Sequence, residues 1–186
     1  MFLATKLSGD QSKGHIAEAF ENSLRMLKTD HVDLYQLHRP KPQWPIEETM
    51  GELAKLQEQG KIGHIGLSNF SAAQTAEAMQ YATVISHQPR YSMLFRESEE
   101  ELFPFLLESG VGSMVYAPLA KGLLSGKYGP DHVFTVEGDT RRDIDPSTPR
   151  TCRRLTMSQN DSRAGRPIKA AASCNWRWRG HRSTRR

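Results

Sequence analysis

Over residues 1–140 the apolar positions alternate between two textures. Short continuous runs occupy 2–6 (FLATK), 32–38 (VDLYQLH), 62–68 (IGHIGLS), 83–88 (TVISHQ) and 111–119 (VGSMVYAPL). Continuous rather than alternating runs predict strands covered on both faces, as in a parallel sheet. Between them the apolar residues take helical spacing. Residues 15–28 place Ile16, Phe20, Leu24 and Leu27 on one side. Residues 45–61 open on Pro45, carry Glu47 and Glu48 at the positive end, align Ile46, Met50, Leu53 and Leu56, and stop at Gly60. The stretch 71–82 begins with Ser71 and has Gln74 three residues on, a capping box. Residues 97–110 are acidic first and apolar later; Pro104 inside them predicts a kink or a late start.

Strand, helix, strand, helix predicts βαβ units, whose right-handed crossovers build a parallel sheet with helices outside. An open doubly wound sheet and a closed barrel both satisfy the pattern. No GxGxxG follows the first run, so a Rossmann fold would lack its phosphate-binding turn.

Charge divides the chain. Residues 1–140 hold 12 Lys and Arg against 18 Asp and Glu, a net of −6; residues 141–186 hold 13 against 3, a net of +10. The overall +4 belongs to the tail. From about residue 143 no apolar periodicity is visible, and Arg, Ser, Thr and Pro dominate, which predicts disorder over 143–186 and a folded domain over 1–142. Twelve arginines with Trp176 and Trp178 among them could attract phosphates and stack bases, but no feature points to a specific nucleic-acid partner. Cys152 and Cys174 form no CxxC, so neither a metal site nor a disulfide framework is expected. No stretch approaches the ~20 apolar residues of a spanning helix, and the apolar run in MFLATKLSGD is short for a signal peptide. The expectation is a reducing, cytoplasmic setting without a membrane partner.

In parallel α/β folds chemistry gathers where the strands end. Those ends read Lys6, His38, Ser68 with Asn69, Gln88 and Tyr116. Each alone is unremarkable: Lys6 and His38 could be ordinary strand-end residues, Ser68 and Asn69 could cap the next helix, and Gln88 and Tyr116 could satisfy rim hydrogen bonds. Together they are hydrogen-bonding groups that one rim would bring to one ligand.

The segments ATK, LKTDHVDLYQLHRP, PIEETMGELAKLQEQGKIGHIGLSNFS, SHQPRYSMLFRESEEEL and GVGSMVYAPLAKGLLSGKY resemble the aldo-keto reductases, densely over residues 2–142. The branch that includes bacterial general-stress reductases and the potassium-channel β subunits is the most similar. The resemblance implies a (β/α)8 TIM barrel that moves hydride between NADP(H) and a small aldehyde or ketone. It matches Lys6 and His38 to two of the family's four catalytic positions. Ser68, Asn69 and Gln88 match residues that hold the nicotinamide carboxamide, and Tyr116 the aromatic on which the ring stacks. Pro118, Leu119, Ala120 and Lys127 match the loop along the pyrophosphate. The chemistry suits these residue types: hydride arrival leaves negative charge on oxygen, which needs donors and a proton.

The same resemblance makes the first run the third of eight strands. The family's aspartate and tyrosine precede it, and its eighth strand and 2′-phosphate helix follow residue 142. The expectation is therefore an incomplete barrel of about five βα units, lacking the first two strands and the last, with reduced or no turnover. A cofactor-sensing or partner-binding subunit like the channel β subunits is the alternative. His38 argues against the nearest version of it, since those subunits carry a different residue there. Oligomeric state is unknown at this level.

Overall fold

The computed structural model describes residues 1–128 and 134–141. The chain divides into two units, Met1–Ser125 and Gly126–Arg186. The expected boundary after residue 142 and the expected disordered tail lie outside the described residues.

The first unit contains five strands: β1 (Ala4–Leu7), β2 (Val32–Leu37), β3 (Ile62–Ser68), β4 (Val84–Gln88) and β5 (Gly112–Ser113). Four α-helices alternate with them: α1 (Lys13–Leu27), α2 (Ile46–Glu58), α3 (Ala72–Ala78) and α4 (Leu102–Glu108). Every strand pair is parallel, and the order across the sheet is β1-β2-β3-β4-β5. Right-handed crossovers between successive neighbours all place their helices on one side. A doubly wound sheet needs a reversal of order, and none occurs among the described strands. The sequential order is that of a barrel arc, so the two alternatives left by periodicity are separated by topology.

The helix side holds the core. Leu7, Leu37 and Leu67 lie in register, and Ile16, Phe20, Met50, Leu53, Ala78 and Leu106 cover the sheet from the helices. Phe20 of α1 meets Tyr35 edge-on at 4.8 Å between centroids. Each fully buried aliphatic or aromatic side chain contributes about 1.5–3 kcal/mol.

Helix boundaries follow local chemistry. The capping box of α3 forms in both directions, with the Gln74 amide donating to Ser71 Oγ at 3.1 Å and the Ser71 amide to Gln74 Oε1 at 2.9 Å. Pro104 lies in the first turn of α4, where its missing N–H costs nothing; the acidic lead-in forms only a separate 3-10 turn at Glu97–Glu99. The strand expected over 111–119 shrinks to two residues in β5. Beyond it the chain still runs beside β4, with the Met114 amide on the His87 carbonyl (2.9 Å) and the Tyr116 amide on that of Pro89 (3.0 Å). Pro89 has no N–H to return, so the regular ladder is interrupted there and continues only as an isolated bridge between Arg90 and Tyr116.

Candidate active site

Cα partners in neighbouring parallel strands face the same way. One row, Lys6, Gln36, Gly66, Ser86 and Gly112, lies opposite the helix-side row of Leu7, Leu37, Leu67, His87 and Ser113. His38, Ser68 and Gln88 stand two residues beyond Gln36, Gly66 and Ser86, at the carboxyl ends of their strands.

There the side chains are tied into one network. Asn69 donates through Nδ2 to the His38 carbonyl at 2.9 Å and to Ser68 Oγ at 3.0 Å. Ser68 Oγ donates to the Gln88 carbonyl at 2.8 Å. The Tyr116 hydroxyl donates to Asn69 Oδ1 at 2.8 Å. Four strand ends thus converge on Asn69, which holds φ at +60°. A left-handed non-glycine residue persists only where its surroundings over-determine it; here three side-chain bonds do so.

The amide groups carry different loads. Both Nδ2 hydrogens of Asn69 are engaged, leaving one lone pair on Oδ1. Gln88 is only partly buried, and its carboxamide bonds to no described residue, so one donor and one acceptor are available side by side. Tyr116 is 37% exposed, leaving its ring accessible.

At the other side of the cluster His38 approaches Ser8, with Nδ1 3.0 Å from Oγ. Burial first, and then the nearby cations Arg39, Lys6 and Lys41, hold its pKa below the ordinary histidine value. Both causes favour the neutral imidazole. A neutral ring carries one hydrogen, and where the Ser8 hydroxyl donates to Nδ1 that hydrogen is on Nε2. Lys6 lines a groove of about 750 Å³ between β1 and α1 together with Ser8, His15, Ser23 and Tyr35. The Tyr35 hydroxyl in that groove is buried, and desolvation pushes its pKa up to about 12.

Beneath the strand ends lies a second polar layer. Gln36 and Ser86 are 1% and 6% exposed, and Gln36 Nε2 and Ser86 Oγ lack hydrogen-bond partners. Gly66 separates them closely: a Cβ there would sit 2.5 Å from Ser86 Oγ and 3.0 Å from Gln36 Cγ.

Past Tyr116 the chain turns through a strained loop. Ala117, Ala120 and Lys121 all take positive φ (57°, 48° and 56°). Pro118 and Leu119 are exposed, whereas Ala120 is buried. Lys127 belongs to the second unit, where its Nζ lies 5.7 Å from the centre of the Tyr128 ring. In the same unit Arg141 donates to both carboxylate oxygens of Asp139 and stacks over Phe134 at 4.4 Å.

The structure therefore brings together His38, Ser68, Asn69, Gln88 and Tyr116, with Lys6 beside them on β1. Ser8, Gln36, Ser86 and His87 were not singled out from the sequence. Gln36, Ser86 and His87 had a usable signal, being polar residues inside otherwise apolar runs; a buried polar group is the informative kind. Among the described residues no group of three His, Cys, Asp or Glu could hold a metal ion, and no helix is long and apolar enough to cross a membrane.

Comparison with known proteins bears on the family and the fold. The Aldo/keto reductase family model matches residues 1–163, running past the point where the motifs in the sequence end. Aldo-keto reductase YhdN of Bacillus subtilis is 41% identical over 135 residues, 73% of this chain and 40% of that protein. The structure of the glycerol dehydrogenase AKR11B4 from Gluconobacter oxydans superposes with a TM-score of 0.78 at 29% identity, covering 89% of this chain and 56% of that one. An aldo/keto reductase from Klebsiella pneumoniae, solved in complex with NADP and acetate, gives 0.61 at 31% identity, over 66% of this chain and 44% of its own. The chain thus spans well under two thirds of the length of these relatives.

Proposed function

The chain belongs to the aldo/keto reductase family, an oxidoreductase family of TIM-barrel fold, and from that premise we propose that the strand-end cluster receives the nicotinamide of NADP(H) beside a small aldehyde or ketone. The observation that carries this reading is the network centred on Asn69. It sets a donor–acceptor amide (Gln88), an exposed aromatic face (Tyr116) and a neutral imidazole (His38) around one rim. A nicotinamide carboxamide also presents one acceptor and one donor edge, so the free amide of Gln88 pairs with it in kind. NADP, which the Klebsiella relative holds, supplies hydride when bound in its reduced form.

The chain's own residues then have distinct tasks. Ser68, Asn69 Oδ1 and Gln88 orient the carboxamide. Tyr116 offers its face to the ring. Pro118, Leu119 and Ala120 shape the loop after it. His38, with its hydrogen on Nε2, orients the substrate carbonyl, and the Lys6 ammonium stabilises negative charge developing on that oxygen. A proton must also be supplied. Tyr35 does not supply it: its side chain packs against Phe20 on the helix side, opposite the face that carries Lys6 and Gln36, and burial raises its pKa to about 12. Turnover by this chain alone is therefore expected to be slow. A cytoplasmic setting accompanies the proposal.

Titrating the 186-residue chain with NADPH, followed by fluorescence, tests it. Binding should weaken by about tenfold in Gln88→Ala, the value of a paired amide. Addition of 4-nitrobenzaldehyde should give little turnover. Absence of NADPH binding, or binding indifferent to Gln88→Ala, refutes the cofactor assignment.

A further inference from the structure

His87 takes no part in the cluster, yet it joins the two segments that meet there. It lies on the helix side of β4, is fully buried, and points away from the row that carries Ser86. Its Nε2 is 3.1 Å from the carbonyl oxygen of Phe70, the residue that follows Asn69. A carbonyl can only accept, so the ring hydrogen is on Nε2 and the bond runs from His87 to Phe70. The other nitrogen, Nδ1, is buried with no partner. An apolar residue of similar size would avoid that unsatisfied atom, so the Nε2 bond is the chemistry the histidine provides here. On its opposite flank the His87 main-chain carbonyl accepts from the Met114 amide at 2.9 Å. Two residues on, the Tyr116 hydroxyl reaches Asn69 Oδ1. The connections close a circuit: the His87 side chain to Phe70, Asn69 to Tyr116, and the segment of Tyr116 back to His87.

We infer that His87 is a positioning residue that fixes Asn69 and Tyr116 at their mutual distance, by holding the Phe70 carbonyl from one flank and the Met114 amide from the other. Phe70 is itself 4% exposed and packed in the core, so the turn is anchored on both sides of its carbonyl. Asn69 cannot relax alone, because its positive φ is set by the residues around it. Loss of the His87 bond frees the Phe70 peptide to rotate, and the strained Asn69 moves with it. Affinity for the nicotinamide then falls, a consequence that rests on the function proposed above; the control of Asn69 geometry does not.

The test uses the full chain with 15N-labelled asparagine and three variants. His87→Leu keeps the volume and removes the donor, His87→Gln restores a side-chain N–H of similar reach, and Ile16→Ala removes core packing in α1. Exchange of the Asn69 side-chain amide hydrogens should quicken about tenfold in His87→Leu and return to within about threefold in His87→Gln. NADP(H) affinity should follow the same order. In Ile16→Ala, at a temperature adjusted for equal global stability, Asn69 exchange should stay at the parent value. Unchanged exchange in His87→Leu overturns the inference, as does an equal effect from Ile16→Ala or no recovery in His87→Gln. If the parent chain binds no NADP(H), the cofactor reading fails by itself, and the exchange rates still decide the role of His87.

Discussion

At the scale of single residues, two histidines behave in opposite ways for one reason each. His38 depends on a neighbour for its tautomer. With Ser8 Oγ 3.0 Å from Nδ1, Ser8→Ala should leave the two neutral tautomers of His38 in mixture. Nitrogen-15 shifts of the His38 ring measured at pH 8 should move toward the average of protonated and bare nitrogen, whereas the parent ring should show Nε2–H predominantly. Shifts identical in both proteins would remove Ser8 from the site. His87 instead depends on exclusion of water. Burial lowers its pKa from 6.5 to about 4, so the unfolded chain binds a proton more readily than the folded one between those values. The neutral ring's stability is fully present above pH 6.5 and is lost as pH falls toward 4, by about 3 kcal/mol in all. Chemical denaturation at stepped pH should show this slope, and His87→Gln should flatten it. Of these residues the sequence made His38 legible, because it ends an apolar run. Ser8 was not, because it matters through a contact 30 positions away and lies outside any periodic element.

Elements show where periodicity reads well and where it does not. The stripes of α1 and α2 and the capping box of α3 were readable because each depends on residues within a few positions of one another. The truncation of β5 was not, because it follows from Pro89 on the neighbouring strand, a cross-strand effect that no window along 111–119 contains. Gly66 is a similar case: its need arises from Gln36 and Ser86 on either side. Gly66→Ala should cost about 1–3 kcal/mol through overpacking. Ser86→Ala removes the atom at 2.5 Å and should restore part of that loss, so the double-mutant cycle should show coupling of about 1 kcal/mol. Additive effects would mean that the strands shift apart instead. The end of α1 offers the converse. Lys28 closes the helix at φ +54°, a conformation glycine adopts without steric cost. Lys28→Gly should stabilise the chain by about 0.5–1 kcal/mol, measured as a higher denaturation midpoint with unchanged denaturant dependence.

Taken whole, the first unit places its candidate ligand contacts on separate strand ends, joined by the Asn69 network and by His87. Among the described residues, the outer edges of β1 and β5 pair with no strand. The second polar layer leaves Gln36 and Ser86 without partners. Three non-glycine residues of the loop after Tyr116 hold positive φ. Each of these lowers stability without ligand, and the last two lie next to groups assigned to the cofactor. A ligand that touches Gln88, Tyr116 and the 118–120 loop at once would bind only the folded arrangement, so binding free energy adds to folding free energy. At a concentration one hundred times its dissociation constant, NADPH should contribute about 2.7 kcal/mol and raise the melting temperature by about 5–10 °C. Gln88→Ala, which weakens binding without touching the core, should reduce that rise at the same NADPH concentration while leaving the melting temperature of the unliganded chain within a degree or two. Lys28→Gly should do the reverse, raising both melting temperatures and preserving the gap between them. A gap that persists undiminished in Gln88→Ala would place the cofactor elsewhere on the molecule, whatever the family likeness implies.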